Sequence, residues 1–198
     1  MNDFVIRPLD ASTWPDFAAL AERHNGVFGG CWCTYFHLHP DPPERQTLGN
    51  REFKKQLVEA GLTHAALVFD GDEAVAWAQF GPVAELPNIH HRKQWEAETE
   101  QQPEYRITCL FVDRRYRRGG VAAVAVRGAL ALIARQGGGL VEAYPHDLVD
   151  KKKAGKTVSS SFLYNATRTM YEREGFTYLR PKGLGNCVMS KRVAAARQ

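Results

Sequence analysis

The sequence predicts an α/β fold, and three stretches carry that reading. Residues 105–112 are an apolar strand that runs into an arginine- and glycine-rich turn, then an Ala/Val-rich helix over residues 120–136, then another strand over 140–144. A strand, a helix and a strand in that order imply a parallel pair joined by a right-handed crossover. Residues 64–69 and 74–80 flank Asp70-Gly71-Asp72 and read as an antiparallel hairpin, because a polar, glycine-containing turn divides two apolar runs. Two helices with apolar residues at helical spacing precede the hairpin, which places them over the sheet.

Taken in order, residues 4–9 form a first strand ended by Pro8. Ser12-Thr13 cap a helix with Pro15 in its first turn and Trp14, Phe17, Ala18 and Ala21 on one face, and His24-Asn25-Gly26 ends it where glycine takes the left-handed conformation. Residues 27–40 then combine two glycines, two cysteines, four aromatic rings and two histidines without a regular period, so this loop is expected to fold back onto the protein. Asn50 caps a second helix with Phe53, Leu57 and Ala60 on one face, ended by Gly61. Residues 81–103 are a long polar connection with three prolines and with Trp95 inside an acidic run, and connections of this length are often binding elements. Residues 137–139, all glycine, end the helix of the crossover. A polar, lysine-rich insertion covers 147–157, and Ser159-Ser160-Ser161 cap a last helix carrying Phe162, Leu163, Ala166, Met170 and Tyr171. Gly175 stops it, and strands follow over 176–180 and 187–191.

At 198 residues the chain suits one domain spanning 1–198, with no internal repeat or linker. Hydrophobic residues make up 44% and charged residues 24%, the composition of a globular protein with a sizeable core. The net charge of +4 is dispersed along the chain, which suits an anionic ligand without demanding nucleic acid. The N-terminus lacks the apolar stretch of a signal peptide, no run of about 18 apolar residues is present to span a bilayer, and a cytoplasmic protein is expected. Four cysteines are too few for a disulfide framework, so free thiols are the default and Cys109 reads as a small buried hydrophobe.

The turn after residue 112 has the design of an anion cradle: the first N–H groups of a helix are unpaired and carry a partial positive charge, and Gly119 and Gly120 allow close approach. It has neither the dinucleotide spacing G-x-G-x-x-G nor that of a P-loop. Gly155-Lys156-Thr157 ends like a P-loop, but Asp150 stands where the first glycine is required. What the turn does carry, Val112-x-x-x-Tyr116-Arg117-x-x-Gly120-x-Ala122, resembles motif A of the GNAT superfamily of N-acetyltransferases. Tyr171-x-x-x-Gly175-Phe176 resembles a second motif of that family, at the end of its last helix, and the order of elements along the chain is the GNAT order. The resemblance implies a GNAT fold: a mixed, mostly antiparallel central sheet with one parallel, splayed pair and helices on both faces.

The resemblance also implies acetyl-CoA as co-substrate. Arg117, Arg118, Gly119, Gly120, Val121 and Ala122 would hold its pyrophosphate, and the backbone of Leu110, Phe111 and Val112 would pair with pantetheine and polarise the thioester carbonyl. Tyr171 would be the general acid toward the CoA thiolate, its phenol being only slightly weaker as an acid than the thiol it protonates. The sequence departs from the family where Tyr164 stands seven residues before Tyr171, a place often held by a cofactor-binding Asn; on a continuous helix Asn165 points about a third of a turn away. It departs again on the long strand, where Arg106 and Thr108 replace an expected Glu. The general base is therefore open among an ordered water, Glu104, Glu142, His37 and His90, and Arg106 is available to bind an anionic part of the acceptor. The acceptor pocket is expected from Cys31, Trp32, Tyr35, His37, Tyr105 and Arg106. Cys31-x-Cys33-x-x-x-His37-x-His39 lacks a standard zinc spacing, so no metal is expected. Lys151-Lys152-Lys153 and His90-His91-Arg92-Lys93 read as solvated surface, the lysines with reach toward the 3′-phosphate of CoA. The expectation is an N-acetyltransferase acting on a primary amine of a small molecule or peptide by direct attack, without nucleic acid or membrane partners and with a homodimer left open; the alternative is a non-catalytic acyl-CoA-binding sensor of the same fold.

Overall fold

A computed structural model describes residues 3–37, 42–148 and 163–197. Among the described residues seven strands form one sheet: β1 (Val5–Pro8), β2 (His64–Asp70), β3 (Glu73–Pro82), β4 (Tyr105–Val112), β5 (Gly139–Ala143), β6 (Thr177–Lys182) and β7 (Asn186–Val193), in the order β1-β2-β3-β4-β5-β7-β6. Only β4 and β5 run parallel; every other neighbouring pair is antiparallel. The helices are α1 (Trp14–Glu22), α2 (Pro42–Glu59), α3 (Arg92–Glu98), α4 (Val121–Arg135) and α5 (Arg168–Arg173). Among the described residues no helix is long and apolar enough to cross a membrane.

Alternation along the strands sorts side chains into two cores, as the period of two requires. Leu67, Phe69, Trp77, Cys109 and Phe111 face α1 and the loop after it, burying Trp14, Phe17, Leu20 and Trp32. Ala66, Val68, Ala76, Ala78 and Leu110 face α4 and α5, with Val126, Ile133, Tyr171 and Phe176. Small residues bring α4 close to the sheet: a Cβ on Gly128 would lie 2.9 Å from the Cγ2 of Ile6 and 3.1 Å from the Cβ of Ala66.

Pairing within β4 sets up the site. Cys109 lies opposite Gln79 and Ile107 opposite Phe80, so Thr108 is an extra residue, a β-bulge. A bulge bends its strand and sharpens its twist. Parallel pairing with β5 accordingly covers only Tyr105, Arg106 and Ile107, and the rest of β4 diverges from its neighbour.

Local details depart from the sequence in four places. Asp10 rather than Ser12 or Thr13 organises the entry to α1, its carboxylate accepting the N–H groups of both. Helix α2 begins at Pro42 and kinks at Gly49 (φ 72°), so the expected start at Asn50 is the second half of a longer element. The long connection contains α3, pinned by Trp95, whose indole N–H donates to Glu142 at 2.7 Å. Helix α5 begins at Arg168 after an extended Thr167, and Ala166 is left-handed (φ 53°), so Tyr164 and Asn165 lie on a turn and the helical angle between them does not apply. The expected caps Ser159-Ser160-Ser161, together with Phe162, Lys151-Lys152-Lys153, Gly155-Lys156-Thr157 and His39, lie outside the described residues.

Candidate functional site

The divergence of β4 opens a cavity of about 470 Å³. One wall is Leu110, Phe111, Val112, Arg114, Tyr116, Arg117, Arg118, Gly120, Val121 and Ala122; the other is Phe28, Leu163, Ala166, Thr167 and Met170. Of the residues expected at the cofactor, all but Gly119 line it.

The turn that forms the cavity floor is held by charge. Asp113 caps the short 3-10 turn Arg114–Tyr116, accepting the N–H of Arg115 at 2.9 Å and its guanidinium at 2.8 Å, with His24 3.3 Å away. Burial alone would raise the Asp113 carboxyl, but these hydrogen bonds outweigh it and hold the group well below the usual carboxylate range. Glu73 takes the same guanidinium at 2.6 Å, and Tyr116 donates to Asp70 at 2.9 Å. The chain then passes through two left-handed residues, Arg118 (φ 67°) and Gly120 (φ 79°). A Cβ on Gly120 would meet nothing within 4 Å, so it would stand in open space. In the first turn of α4 the Ala123 N–H is taken by the Gly120 carbonyl at 3.0 Å, and the N–H groups of Val121 and Ala122, which have no acceptor within the helix, are left for an anion to approach without side-chain obstruction. Arg117, whose Nε donates to the carbonyl of Val112 at 3.2 Å, and Arg118 are exposed beside them.

Backbone hydrogen bonding along β4 alternates sides. Asp113 N–H turns to Val75 on β3, whereas Leu110 N–H turns away from β3 and donates to the carbonyl of Tyr164 at 2.6 Å. The same alternation directs Val112 N–H into the divergence. A cradle of main-chain donors with exposed guanidinium groups fits a pyrophosphate, and a strand edge paired only in part fits an amide-containing chain, so the residues present match the two halves of CoA.

Tyr171 lies one residue beyond the cavity-lining Met170 but points into the α4 core. It is fully buried, packs edge-on against Phe176 at 4.9 Å, and among the described residues its hydroxyl has no hydrogen-bond partner. Burial, and then the neighbouring Cys109, push its phenol far above the ordinary value.

The expected acceptor residues are not brought together. Tyr105 belongs to the α4 side of the sheet, while Arg106 is buried on the other. Arg106 lies over the ring of Trp95 at 4.4 Å, donates to Tyr144 Oη at 2.9 Å and to the carbonyl of Leu86 at 2.8 Å. Glu142, equally buried, receives Tyr144 at 2.9 Å and Trp95, so Arg106 and Glu142 form a charge-compensated core network through Tyr144. Trp32 packs between Trp14 and Phe17. His37 is buried against the Glu85 carbonyl (3.1 Å) and Thr63 (3.0 Å). Cys31 is half-buried, and Tyr35 is exposed, stacked on His90 at 4.7 Å with its hydroxyl 3.2 Å from Nδ1. The remaining carboxylate named for the base, Glu104, is tied to Leu140 N–H at 2.6 Å. Among the described residues no three His, Cys, Asp or Glu side chains converge as metal ligands would.

Two features escaped the sequence. A second, narrow cleft lies beside the cavity, lined by Phe36, His90, Tyr144, Tyr164, Asn165 and Lys182, where Asn165 Oδ1 is buried and unpartnered among the described residues. The other is Lys54, fully buried with Thr63 (2.7 Å), Gln79 (2.8 Å) and His37 (3.4 Å). Its place on the inner face of α2, one turn from the buried Val58, is the signal that could have found it.

A sequence model of the acetyltransferase (GNAT) family matches residues 25–149. No curated protein sequence matches the chain. Among solved structures, the chain is similar to a histone acetyltransferase HPA2 and related acetyltransferase from Corynebacterium glutamicum (16% identity, 98% of each chain covered, TM-score 0.53). It is also similar to a ribosomal-protein-S5-alanine acetyltransferase from Vibrio fischeri (13% identity, 98% of this chain and 94% of that one, TM-score 0.51). A PaiA N-acetyltransferase from Thermoplasma acidophilum, solved in complex with coenzyme A, matches at 11% identity over 96% of this chain and 99% of that one, with a TM-score of 0.51. At these identities the likeness is one of fold.

Proposed function

The chain belongs to the GNAT family of acetyltransferases, and from that premise we propose that it transfers an acetyl group from acetyl-CoA to a primary amine by direct attack. The observation that carries the proposal is one cavity in which an anion cradle at Arg117–Ala122 and the diverging edge of β4 lie one after the other. Acetyl-CoA supplies the activated thioester. Arg117, Arg118 and the N–H groups at the start of α4 bind its pyrophosphate, and Val112 N–H serves as the preorganised donor to the oxygen on which charge develops, a large term in acyl transfer. Leu110 N–H joins it once the Tyr164 carbonyl yields. Tyr171 returns the proton to the leaving sulfur once its hydroxyl, sealed in the α4 core behind Met170, turns toward the cavity.

His90 is assigned as proton acceptor for the incoming amine. Glu142 and His37 are buried among internal partners and Glu104 is held by Leu140, whereas His90 is exposed beside Tyr164 at the narrow cleft. Burial of its inner edge, then Lys182 and His91, lower its pKa, which favours the neutral imidazole that a base requires.

The sealed hydroxyl of Tyr171 favours one second reading, an acyl-CoA-binding sensor. Release of free CoA thiol from acetyl-CoA, measured across a panel of small amines and peptide N-termini, separates the two. Amine-dependent release supports the transferase; saturable acetyl-CoA binding with no release from any amine supports the sensor; no binding overturns both.

A further inference from the structure

We propose that Cys33 and Cys109 form a thiol pair that a hydroperoxide oxidises to an intramolecular disulfide, tying the loop after α1 to the strand that walls the cavity. The two sulfurs come from positions 76 residues apart and sit 2.7 Å from one another, both buried. A disulfide bond is about 2.05 Å long, so the two sulfurs need approach by less than about 1 Å to bond.

The surroundings divide the work between the two thiols. Trp77 donates its indole N–H to Cys33 Sγ at 3.3 Å. Lys54 lies close by, bonded to His37, Thr63 and Gln79, and among the described residues no carboxylate pairs with it. Burial raises the Cys33 thiol, yet hydrogen bonding from Cys109 together with the Lys54 charge and Trp77 brings it below the ordinary value; Cys109, by contrast, is raised by burial and by its neighbour. Cys33 is the nucleophile and Cys109 the resolving thiol.

The loop bearing Cys33 supplies the access. Asn25, Val27, Phe28, Trp32 and Cys33 all have φ between 43° and 53°, a region that residues with a Cβ avoid. Such a backbone persists only while packing holds it, so local opening of this segment admits a small oxidant.

The chemistry balances in two steps. The Cys33 thiolate attacks the outer oxygen of the hydroperoxide, an S–O bond forms as the O–O bond breaks, and the departing alkoxide or hydroxide takes the proton that Cys33 gave up. Cys109 sulfur then attacks Cys33 sulfur; the S–S bond forms, the S–O bond breaks, and the hydroxyl leaves as water with the Cys109 proton. Two thiols are oxidised by two electrons, and one peroxide is reduced to an alcohol or water and a further water.

The test is titration of the reduced, full-length protein with hydrogen peroxide, followed by alkylation under denaturing conditions and non-reducing peptide mapping. Two of the four thiols should disappear together, giving one crosslinked peptide that joins positions 33 and 109 and is reversed by dithiothreitol, while Cys31 and Cys187 remain alkylated. Cys33→Ser should abolish both the crosslink and the rapid phase of thiol loss; Cys109→Ala should leave Cys33 as a sulfenic acid trapped by dimedone. A link through Cys31, oxidation of single thiols without a crosslink, or four thiols surviving peroxide would overturn the proposal. The wild-type map decides the matter even where a variant fails to fold.

Discussion

A buried phenol hydroxyl that, among the described residues, has no partner forfeits its hydration without a hydrogen bond in return, so deleting it at Tyr171 affects folding and chemistry in opposite directions. Tyr171→Phe should leave the protein as stable as the parent or more so, by up to about 1–3 kcal/mol in urea unfolding. The same variant should lower amine-dependent turnover at least about tenfold, with the donor KM little changed, since general acids contribute that much or more. Equal losses of stability and activity would contradict the acid role. Gly120→Ala works the other way: a methyl in open space costs the fold only the strain of a left-handed alanine, about 1 kcal/mol, but it obstructs the cradle, and isothermal titration should show acetyl-CoA affinity reduced roughly tenfold. Arg106→Ala should cost about 3 kcal/mol, because Glu142 is then left buried without its compensating charge. An acceptor KM that rose while stability held would restore the anion-binding role that its position on β4 suggests.

At the scale of elements, the three consecutive glycines after α4 are a sharp test of local geometry. Gly138 has φ 71°, and a Cβ there would lie 2.3 Å from the backbone oxygen of Val193. Main chain cannot yield as a side-chain tip can, so Gly138→Ala should destabilise by more than about 2 kcal/mol in thermal or urea unfolding, while Gly137→Ala, with open space around its Cβ, should cost less. Elements of this kind were legible in advance because period, caps and glycines are local signals; the strands, α1, α4 and the GNAT order all follow from them. What escaped is set by partners. Helix α3 has a single buried anchor, Trp95, and its partners Glu142 and Arg106 belong to two strands elsewhere in the chain. The bulge at Thr108 belongs to the register of two strands, and nothing in residues 105–112 alone announces it. In the site, the glycines mark where the turn opens onto the cavity, whereas the burial of Arg106 has no sign in the sequence, because a charge on a strand does not show whether its network is inside or outside.

For the molecule as a whole, the charge inside the first core makes stability depend on pH. Burial lowers Lys54 from 10.5 to about 8, so between those values the unfolded chain binds more protons than the folded one. Stability must then rise with pH across that window and be flat below it, where both states are protonated. The Lys54-dependent part is on the order of 3 kcal/mol, read as the difference between the parent and Lys54→Met in urea unfolding from pH 7 to pH 10. A flat difference would mean that the ammonium is better solvated than its neighbours imply. The seven strands also form a sheet of uneven continuity: three residue pairs join β4 to β5, against seven between β3 and β4. Mechanically it is two half-sheets hinged at a short weld, with the cavity beyond it where, among the described residues, β4 lacks a neighbouring strand on that side. A donor lying along β4 would act as that strand, a removable eighth member that stiffens the joint each time it arrives. Amide exchange at Val112 should slow on acetyl-CoA binding, and Tyr105 to Ile107, already welded, should barely respond.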